Sequence, residues 1–335
     1  MKKLLSIFLA LVLCLSLCAC SDGISSNSKS ENDDSVEEKD KEENDKKTFK
    51  LEIGAKNSVA DYVDFTLFKI STSKKVTSSL PGYSYYENDN PGETYVDIVL
   101  DLTNTSSNEI NSDDIVVASA KGKDDKKYTD VFYCVETDNM TSLNTYQEIA
   151  PLSKARLHCV LSVPENETDL TLKLSFKGTK FTCRYTLGKT ESNAKPIAPG
   201  DILEEADFAA LTFNGIEYTD DLLPPNTSSY YTHYEVDDTS NTYLAVKFDL
   251  TSYMGNEKEC DSFVGVKATY MDKYTYTGFI VTEDKDGTGY SSYESISPLS
   301  TRHLCCLIEV PDSVTSNDVT LTFSFNGKEY TYTGK

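Results

Sequence analysis

Cysteine and histidine have the widest chemistry of the residues in this sequence, and neither forms a catalytic or metal-binding pattern. The three histidines are His158, His233 and His303. No Cys-x-x-Cys pair occurs, although zinc and redox sites commonly use one. His158 and His303 fall on outward-facing or loop positions of the predicted strands, so we expect solvated surface side chains. The sequence therefore predicts neither a metal centre nor a histidine-dependent active site.

The cysteines that follow residue 20 are more typical of a protein core than of a reactive site. Cys159 and Cys306 occupy equivalent inward positions on alternating apolar strands, where a reactive thiolate would lack the polar setting it needs. A Cys159–Cys183 bridge and a Cys260–Cys305 bridge are the disulfide alternatives, and Cys305 is expected to point outward. The disulfide state stays open for all six cysteines, which are Cys134, Cys159, Cys183, Cys260, Cys305 and Cys306.

One acidic loop resembles part of a calcium-binding loop. Asp284 and Asp286 are followed by Gly287, as in the middle of such loops, but Tyr293 occupies the twelfth position, where a bidentate Glu is required. An Asp-Gly turn is the favoured interpretation. Calcium binding at Asp284 and Asp286 is the alternative.

Tyrosines are the best candidates for binding residues. Tyr83 and Tyr86 align with Tyr231 and Tyr234 at the offset of the strand that follows each pair. Exposed tyrosines give binding surfaces a rigid apolar ring with a polar tip. The alternative is that these rings cover a sheet edge or fill the end of a sandwich.

Composition excludes several other functions. The 335 residues carry a formal net charge of -22, which disfavours nucleic acid as a partner. Gly-x-Ser-x-Gly, P-loop and Gly-x-Gly-x-x-Gly patterns are absent from the sequence, which speaks against hydrolase, kinase and dinucleotide chemistry. We therefore expect no enzymatic activity and no cofactor other than a lipid, discussed next.

The N-terminus predicts export. Lys2 and Lys3 precede an apolar run from Leu4 to Leu17, which is short for a membrane-spanning helix and fits a signal peptide. After Cys20, residues 21–48 contain ten acidic residues, five lysines and few large apolar residues. Such a segment cannot bury enough apolar surface to fold, so it predicts a disordered acidic tether.

The end of the signal peptide, Leu17-Cys18-Ala19-Cys20, resembles the lipobox of bacterial lipoproteins. This resemblance implies that the peptide is cut before Cys20 and that Cys20 carries diacylglycerol and an acyl chain. Two acyl chains hold a protein stably on a membrane. The implied location is extracytoplasmic, on the cell membrane of a Gram-positive bacterium.

The rest of the chain contains two copies of one domain. Residues 146–164 and 293–311 align at an offset of 147, and 9 of the 19 positions are identical. Upstream and downstream segments align at slightly different offsets, as expected for small loop insertions. The predicted organisation is a signal peptide (1–19), a lipidated Cys and tether (20–49), a first sandwich (50–189), a linker (190–200) and a second sandwich (201–335).

Each copy reads as all-β. Leu157, Cys159, Leu161 and Val163 alternate with less apolar residues, and this period of two places one face on a core. Asn326-Gly327 predicts a tight hairpin turn. The regular spacing of such strands predicts an antiparallel β-sandwich in each copy.

The lipobox, the acidic tether and the repeated Pro-Leu-Ser turn followed by a Leu-rich hairpin resemble a known family. They are similar to surface lipoproteins of Firmicutes with tandem immunoglobulin-like domains of unknown function. The resemblance implies an immunoglobulin-like fold at the cell surface and no particular activity. We expect a lipid-anchored, non-enzymatic protein that displays two sandwiches to an envelope protein, a host protein or a glycan. A lipoprotein that captures a small molecule or an ion is the alternative.

Overall fold

The computed structural model describes residues 48–80, 84–138, 140–271 and 273–335, which lie within one compact unit. These residues form strands and three single turns of 3₁₀ helix, at Lys123–Asp125, Cys260–Ser262 and Asp312–Val314. None of the helices in this part of the chain has the length and apolarity to cross a membrane. The all-β prediction is confirmed.

Two sheets form the first sandwich, which we call sandwich 1. Sheet 1a has the strand order β1-β15-β14-β8-β9, and sheet 1b has the order β11-β10-β13-β6-β3-β16, with β2 also paired to β3. The strands are β1 (Thr48–Lys50), β2 (Lys56–Val59), β3 (Val63–Ser73), β4 (Lys75–Thr77), β5 (Tyr85–Glu87), β6 (Glu93–Asn104), β7 (Ile110–Asn111), β8 (Val117–Lys121), β9 (Lys127–Tyr128), β10 (Val131–Glu136), β11 (Leu143–Asn144), β12 (Glu148–Ile149), β13 (Lys154–Pro164), β14 (Asp169–Phe176), β15 (Thr179–Thr186) and β16 (Glu191–Ser192).

Sandwich 2 repeats this arrangement. Sheet 2a has the order β17-β31-β30-β24-β25, and sheet 2b has the order β18-β19-β22-β29-β26-β27. The strands are β17 (Lys195–Pro196), β18 (Ile202–Glu205), β19 (Ala209–Thr219), β20 (Asp221–Leu222), β21 (Tyr234–Glu235), β22 (Asn241–Ser252), β23 (Lys258–Glu259), β24 (Val264–Tyr270), β25 (Tyr274–Thr277), β26 (Phe279–Glu283), β27 (Tyr290–Ser292), β28 (Ser295–Ile296), β29 (Thr301–Pro311), β30 (Val319–Phe325) and β31 (Lys328–Gly334).

The strands alternate because each sheet buries one face. Leu157, Cys159 and Leu161 of β13 point into the core of sandwich 1, and Leu304 and Cys306 of β29 do the same in sandwich 2. Side chains between them point to the outer face of the b sheet. The two cores share no buried residue, so each sandwich has its own hydrophobic core.

The predicted hairpin turn is present and also lies at the junction of the sandwiches. Phe325 pairs with Lys328, and Asn326 and Gly327 have φ of 47° and 71°, as a tight two-residue turn requires. A Cβ atom at Gly327 would lie 3.3 Å from the sulfur of Met140 in sandwich 1. The turn therefore also contacts sandwich 1.

Short strands tie the segment between the sandwiches to both of them. Glu191 and Ser192 of β16 pair with β3, and Lys195 and Pro196 of β17 pair with β31. In each sandwich the first strand runs parallel to the last, because β1 pairs with β15 as β17 pairs with β31. The segment predicted as a linker is thus hydrogen-bonded on both sides.

Part of the outer face of each b sheet is covered by the sandwich's own chain. In sandwich 1 the hairpin of β4 and β5 covers an apolar cluster around Val76, Cys134 and Val160. In sandwich 2 the segment containing Leu222 and Tyr234 covers the corresponding cluster. The remainder of the sheet 1b outer face forms the site described below.

Candidate functional site

Sandwich 2 lies on the outer face of sheet 1b with the outer face of its own sheet 2a. Lys69 of β3 forms an ion pair with Glu329 of β31 at 2.9 Å. Lys267 of β24 donates a hydrogen bond to Thr77 Oγ1 at 2.9 Å. Two polar sheet faces therefore meet, and charged side chains become buried between them.

His158 lies at the centre of this buried layer. Its side chain is 3% exposed, and Nδ1 lies 3.0 Å from Asp97 Oδ2. Nε2 lies 3.2 Å from Glu136 Oε1. The prediction of a solvated His158 is wrong: the side chain points away from the core of its own sandwich, as expected, but sandwich 2 and its neighbours cover it.

The geometry requires a protonated ring at His158. Carboxylate oxygens only accept hydrogen bonds, and a neutral imidazole has a single N–H, so both ring nitrogens can donate only in the cation. Burial works to lower the pKa of His158, but the carboxylates of Asp97 and Glu136 outweigh it and raise the pKa to about 9. Burial also works against ionisation of Glu136, yet the hydrogen bond and charge of His158 hold the pKa of that carboxyl below its usual value.

Arg156 is the second buried cation of this charged layer. Its guanidinium makes a bidentate ion pair with Asp101, with N···O distances of 2.7 and 3.0 Å. It also donates to Ser79 Oγ at 2.9 Å and to the carbonyl oxygen of Gly327, and it stacks 3.8 Å from the ring centre of Phe68. Arg156 thus joins its own sheet to the hairpin turn of sandwich 2.

A chamber of about 110 Å³ lies among these groups. Burial, together with the neighbouring ammonium group of Lys69, lowers the pKa of Lys267 to about 8. Glu136 Oε2 is buried and has no hydrogen-bond partner among the described residues. The charges around the chamber balance when the His158 ring is a cation, because four carboxylates then face four cations. The carboxylates are Asp97, Asp101, Glu136 and Glu329, and the cations are Lys69, Arg156, His158 and Lys267.

An open groove of about 860 Å³ adjoins the chamber and shares Glu136 and Arg156 with it. Its floor is the uncovered part of the sheet 1b outer face, and one wall is the turn at Asn326-Gly327 of sandwich 2. Charged side chains without a partner among the described residues line it, namely Lys56, Asp64, Asp138 and Lys154. The groove therefore exists only because the two sandwiches are docked.

The tyrosines predicted as binding residues have different environments. Tyr86 is half-buried in the apolar cluster on sheet 1b, 5.0 Å from the ring of Phe132. Tyr234 occupies the equivalent place on sheet 2b, 5.3 Å from the ring of Phe279.

The other two predicted tyrosines are less constrained. Tyr231 is half-buried next to His233. Tyr83 and Cys20 lie outside the described residues. None of the three described tyrosines, Tyr86, Tyr231 and Tyr234, lines the groove or the chamber.

The carboxylates of the acidic loop hydrogen-bond within the loop itself. Asp286 accepts hydrogen bonds from the N–H and hydroxyl of Thr288, and Asp284 accepts one from Ser291. Within the described ranges, no group of three or more His, Cys, Asp or Glu side chains is arranged to hold a metal ion. All six cysteines are free thiols. Cys305 points away from the core as expected, but the segment containing Leu222 buries it.

Sequence reasoning missed the charged layer, although a signal for it exists. The outward positions of the two copies differ: Asp97 and His158 of sandwich 1 correspond to Ala245 and Cys305 of sandwich 2. The pair Asp101–Arg156 corresponds to Asp249–His303, which also forms a cross-strand hydrogen bond. Extra charges on one copy alone indicate a surface that the other copy does not have.

The fold and the site together define a protein of two tandem antiparallel β-sandwiches with a charged layer buried between them. No protein-family model and no curated protein matches the chain. Among solved structures, the chain is similar to an uncharacterized β-sandwich protein from Clostridium difficile 630, with 31% identity and a TM-score of 0.41. The match covers 44% of this chain and 98% of that one. The description of that protein gives no ligand or activity.

Proposed function

We propose that this chain is a non-enzymatic surface protein, anchored through lipid on Cys20, that binds a segment of another protein in the groove between its sandwiches. The observation that carries the proposal is the groove itself, about 860 Å³ in volume and open to solvent. Binding sites occur preferentially at such junctions between domains. The lipobox and the acidic tether support the anchoring.

The docked sandwiches support recognition by a preformed site. The ion pair between Lys69 and Glu329 and the contact of Arg156 with Gly327 hold the walls of the groove together. A site that does not have to be assembled on binding loses less conformational entropy when the ligand arrives. Display by a rigid pair of domains is therefore favoured over capture by domains that close on a ligand.

The lining favours a protein segment over a glycan. Lys56 and Lys154 offer cations, and Asp64 and Asp138 offer carboxylates, which suit the mixed charges of a polypeptide. Sugars are commonly held by exposed aromatic rings, but the one aromatic residue among the lining residues, Phe65, is buried in the core of sandwich 1. A glycan partner is thus the less favoured outcome.

The test is photocrosslinking from the groove in cells that produce the full chain. A photoreactive amino acid replaces Thr103 on the groove floor, and the matched control carries it at Asn166, an exposed residue of the loop between β13 and β14. We expect a protein crosslinked from Thr103 and not from Asn166. Equal crosslinking from both positions, or none from Thr103, would refute binding in the groove.

Charge reversal tests the same site by affinity. Lys56→Glu with Lys154→Glu should weaken binding of the crosslinked partner about tenfold, because two attractive contacts become repulsive. The matched control is Lys127→Glu with Lys285→Glu, at exposed lysines outside the groove. Equal affinity of the two double variants would contradict the proposal.

Anchoring has a separate test. Cys20→Ala removes the thiol at the lipidated position of the lipobox, so the protein should move from the membrane fraction to the soluble fraction. Continued membrane association of this variant would exclude lipid on Cys20 as the anchor and would leave the groove proposal untouched.

A further inference from the structure

The contact between sandwich 1 and sandwich 2 shows which two faces of a sandwich pack against each other. The outer face of an a sheet, sheet 2a, lies on the outer face of a b sheet, sheet 1b. The a sheet contributes Glu329, which pairs with Lys69 of the b sheet, and Lys267, which donates to Thr77 of the β4–β5 hairpin that covers part of that sheet. Because the two sandwiches are copies, each face in this contact has a counterpart elsewhere in the molecule.

The counterpart faces carry no second sandwich within the described residues. They are the outer face of sheet 1a, here called the plug, and the outer face of sheet 2b, here called the seat. Strand pairing fixes the equivalent positions: Lys180 lies opposite Ser175 as Glu329 lies opposite Ser324. On the seat, Asp249 lies opposite His303 as Asp101 lies opposite Arg156.

The plug is basic in a strongly acidic protein. Lys173, Lys180 and Arg184 point outward from β14 and β15, and none has an ion-pair partner among the described residues. The fold does not impose this charge, because the equivalent positions in sandwich 2 are Thr322, Glu329 and Thr333.

The seat is acidic. Its outward carboxylates include Glu217 on β19, Glu283 on β26 and Glu309 on β29, with Lys247 as a cation beside Glu217. Glu217 and Glu283 occupy the positions of Ser71 and Glu136, which line the chamber under sandwich 2. These carboxylates thus lie where the b sheet would meet a docked a sheet.

We propose that the plug of one copy docks on the seat of a second copy, in the same way that sandwich 2 docks on sandwich 1. The polarity is reversed: within the chain Lys69 of the b sheet meets Glu329 of the a sheet, whereas between copies Lys180 takes the place of Glu329. Gly215, which pairs with Lys247, takes the place of Lys69, and the carboxylates of Glu217 and Glu283 take the places of Ser71 and Glu136 beside it. The contact joins two different faces, so one contact leaves a free seat on one copy and a free plug on the other, and we expect further copies to add head to tail.

The net charge of -22 sets the conditions for this association. Copies repel one another at long range, whereas the plug and the seat attract at contact. Association is therefore weak in dilute solution and strongest where copies are concentrated, so the experiment uses intact cells that produce the full chain.

The test is crosslinking between two differently tagged, co-produced forms of the chain. One carries Thr179→Cys at the first residue of β15, next to Lys180 of the plug, and the other carries Thr212→Cys on the seat. These positions correspond to Lys328 and Thr66, which line the same groove within the chain. A thiol-specific bifunctional reagent should join the two forms.

The controls separate head-to-tail docking from other contacts. Pairs that both carry Thr179→Cys, or both carry Thr212→Cys, should not crosslink, and a chain that carries both substitutions should give a ladder of multimers. Crosslinking of like pairs, or a double variant that stops at the dimer, would overturn the proposal. So would the absence of crosslinks between the two different forms.

Charge reversal identifies the partner of the plug. Lys173→Glu with Lys180→Glu in the Thr179→Cys form should lower crosslinking about tenfold, because like charges then meet. Glu217→Lys with Glu283→Lys in the Thr212→Cys form should restore it. Loss without restoration would show that the plug binds some other polyanion, and it would refute docking of a second copy.

Discussion

Replacing His158 by Ala should destabilise the protein more than any other single change in the charged layer. The ring is buried between Asp97 and Glu136 and donates to both. After the substitution two buried carboxylates face each other without the cation that separates them. Asp97 then has no side-chain hydrogen-bond partner among the described residues, whereas Glu136 keeps its two hydrogen bonds from Ser79.

The expected loss follows from the energetics of buried ion pairs. Removing one partner of such a pair lowers the free energy of unfolding by about 3–5 kcal/mol, because the remaining charge is buried without compensation. The pKa points the same way: the rise from 6.5 to about 9 favours the protonated ring over the neutral ring by about 3 kcal/mol. We therefore expect a loss of about 3 kcal/mol for His158→Ala.

Sandwich 2 supplies the matched control. Its residues at the positions of Asp97 and His158 are Ala245 and Cys305, which are buried and apolar. The double variant Asp97→Ala with His158→Cys removes one carboxylate and one cation together, so the charges of the layer stay balanced. Replacing a buried ion pair by apolar residues is often close to neutral. We expect the double variant to be clearly more stable than His158→Ala.

The sign of the pH dependence follows from the direction of each pKa shift. The pKa of His158 is raised on folding, so its stabilisation is complete below pH 6.5 and is lost as the pH rises through about 9. The pKa of Lys267 is lowered to about 8, so that group acts in the opposite direction between pH 8 and 10.5. The free energy of unfolding should therefore fall most steeply between pH 6.5 and 8, and the Asp97→Ala, His158→Cys variant should lack this fall.

The assay is urea unfolding followed by circular dichroism and by tyrosine fluorescence, since the chain has 22 Tyr and no Trp. Unfolding is measured at pH 6.5 and at pH 8 for the native protein, His158→Ala and the double variant. A loss below about 1 kcal/mol for His158→Ala, the size of an exposed ion pair, would refute the buried-cation reasoning. A pH dependence that persists unchanged in the double variant would refute the assignment to His158.

Three further predictions concern other contacts. Glu329→Gln should lower the free energy of unfolding, because it leaves Lys69 without its ion-pair partner. The double variant Lys69→Met with Glu329→Met should recover part of that loss in the same urea assay. Equal losses in the single and the double variant would show that the ion pair contributes nothing specific. In the native protein Cys183 should react with a thiol reagent faster than the other five cysteines, since it alone of the six is not buried. The reaction should still be slow below pH 9, because burial raises the pKa of Cys183 to about 11. Mass spectrometry that finds a different first site of modification would contradict this prediction. Tyr86→Ala and Tyr234→Ala should each lower the free energy of unfolding by about 2 kcal/mol or more, because the packing of the ring is lost. Urea unfolding measures this loss. Unchanged stability in both variants would contradict a packing role and would favour a binding role for these rings.

Much of the fold could be predicted because the sequence states it locally. Leu157, Cys159 and Leu161 alternate with less apolar residues because one face of their sheet packs on one core. A period of two in hydrophobicity therefore indicates both the strand and its buried face. Asn326-Gly327 defines its own turn because few other residue pairs adopt two positive φ angles at low cost. The repeat at an offset of 147 then carries each assignment from one copy to the other.

The candidate site could not be predicted in the same way. Periodicity places His158 on the outer face of sheet 1b, but it does not say whether water or another sheet covers that face. The answer depends on how two separate cores dock, and the partners of His158, Asp97 and Glu136, lie 61 and 22 residues away along the chain. Comparison of the two copies, which differ at Asp97 and His158, is the sequence signal that bears on the question.

The parallel pairing of the first and last strands has a mechanical consequence. When the two ends of a sandwich are pulled apart, parallel neighbours slide along each other, so their hydrogen bonds carry the load together instead of opening one at a time. In sandwich 1 three residue pairs of β1 and β15 share this load, and in sandwich 2 two pairs of β17 and β31 do so. Under tension applied along the chain, sandwich 2 should yield first, and sandwich 1 should hold to a higher force.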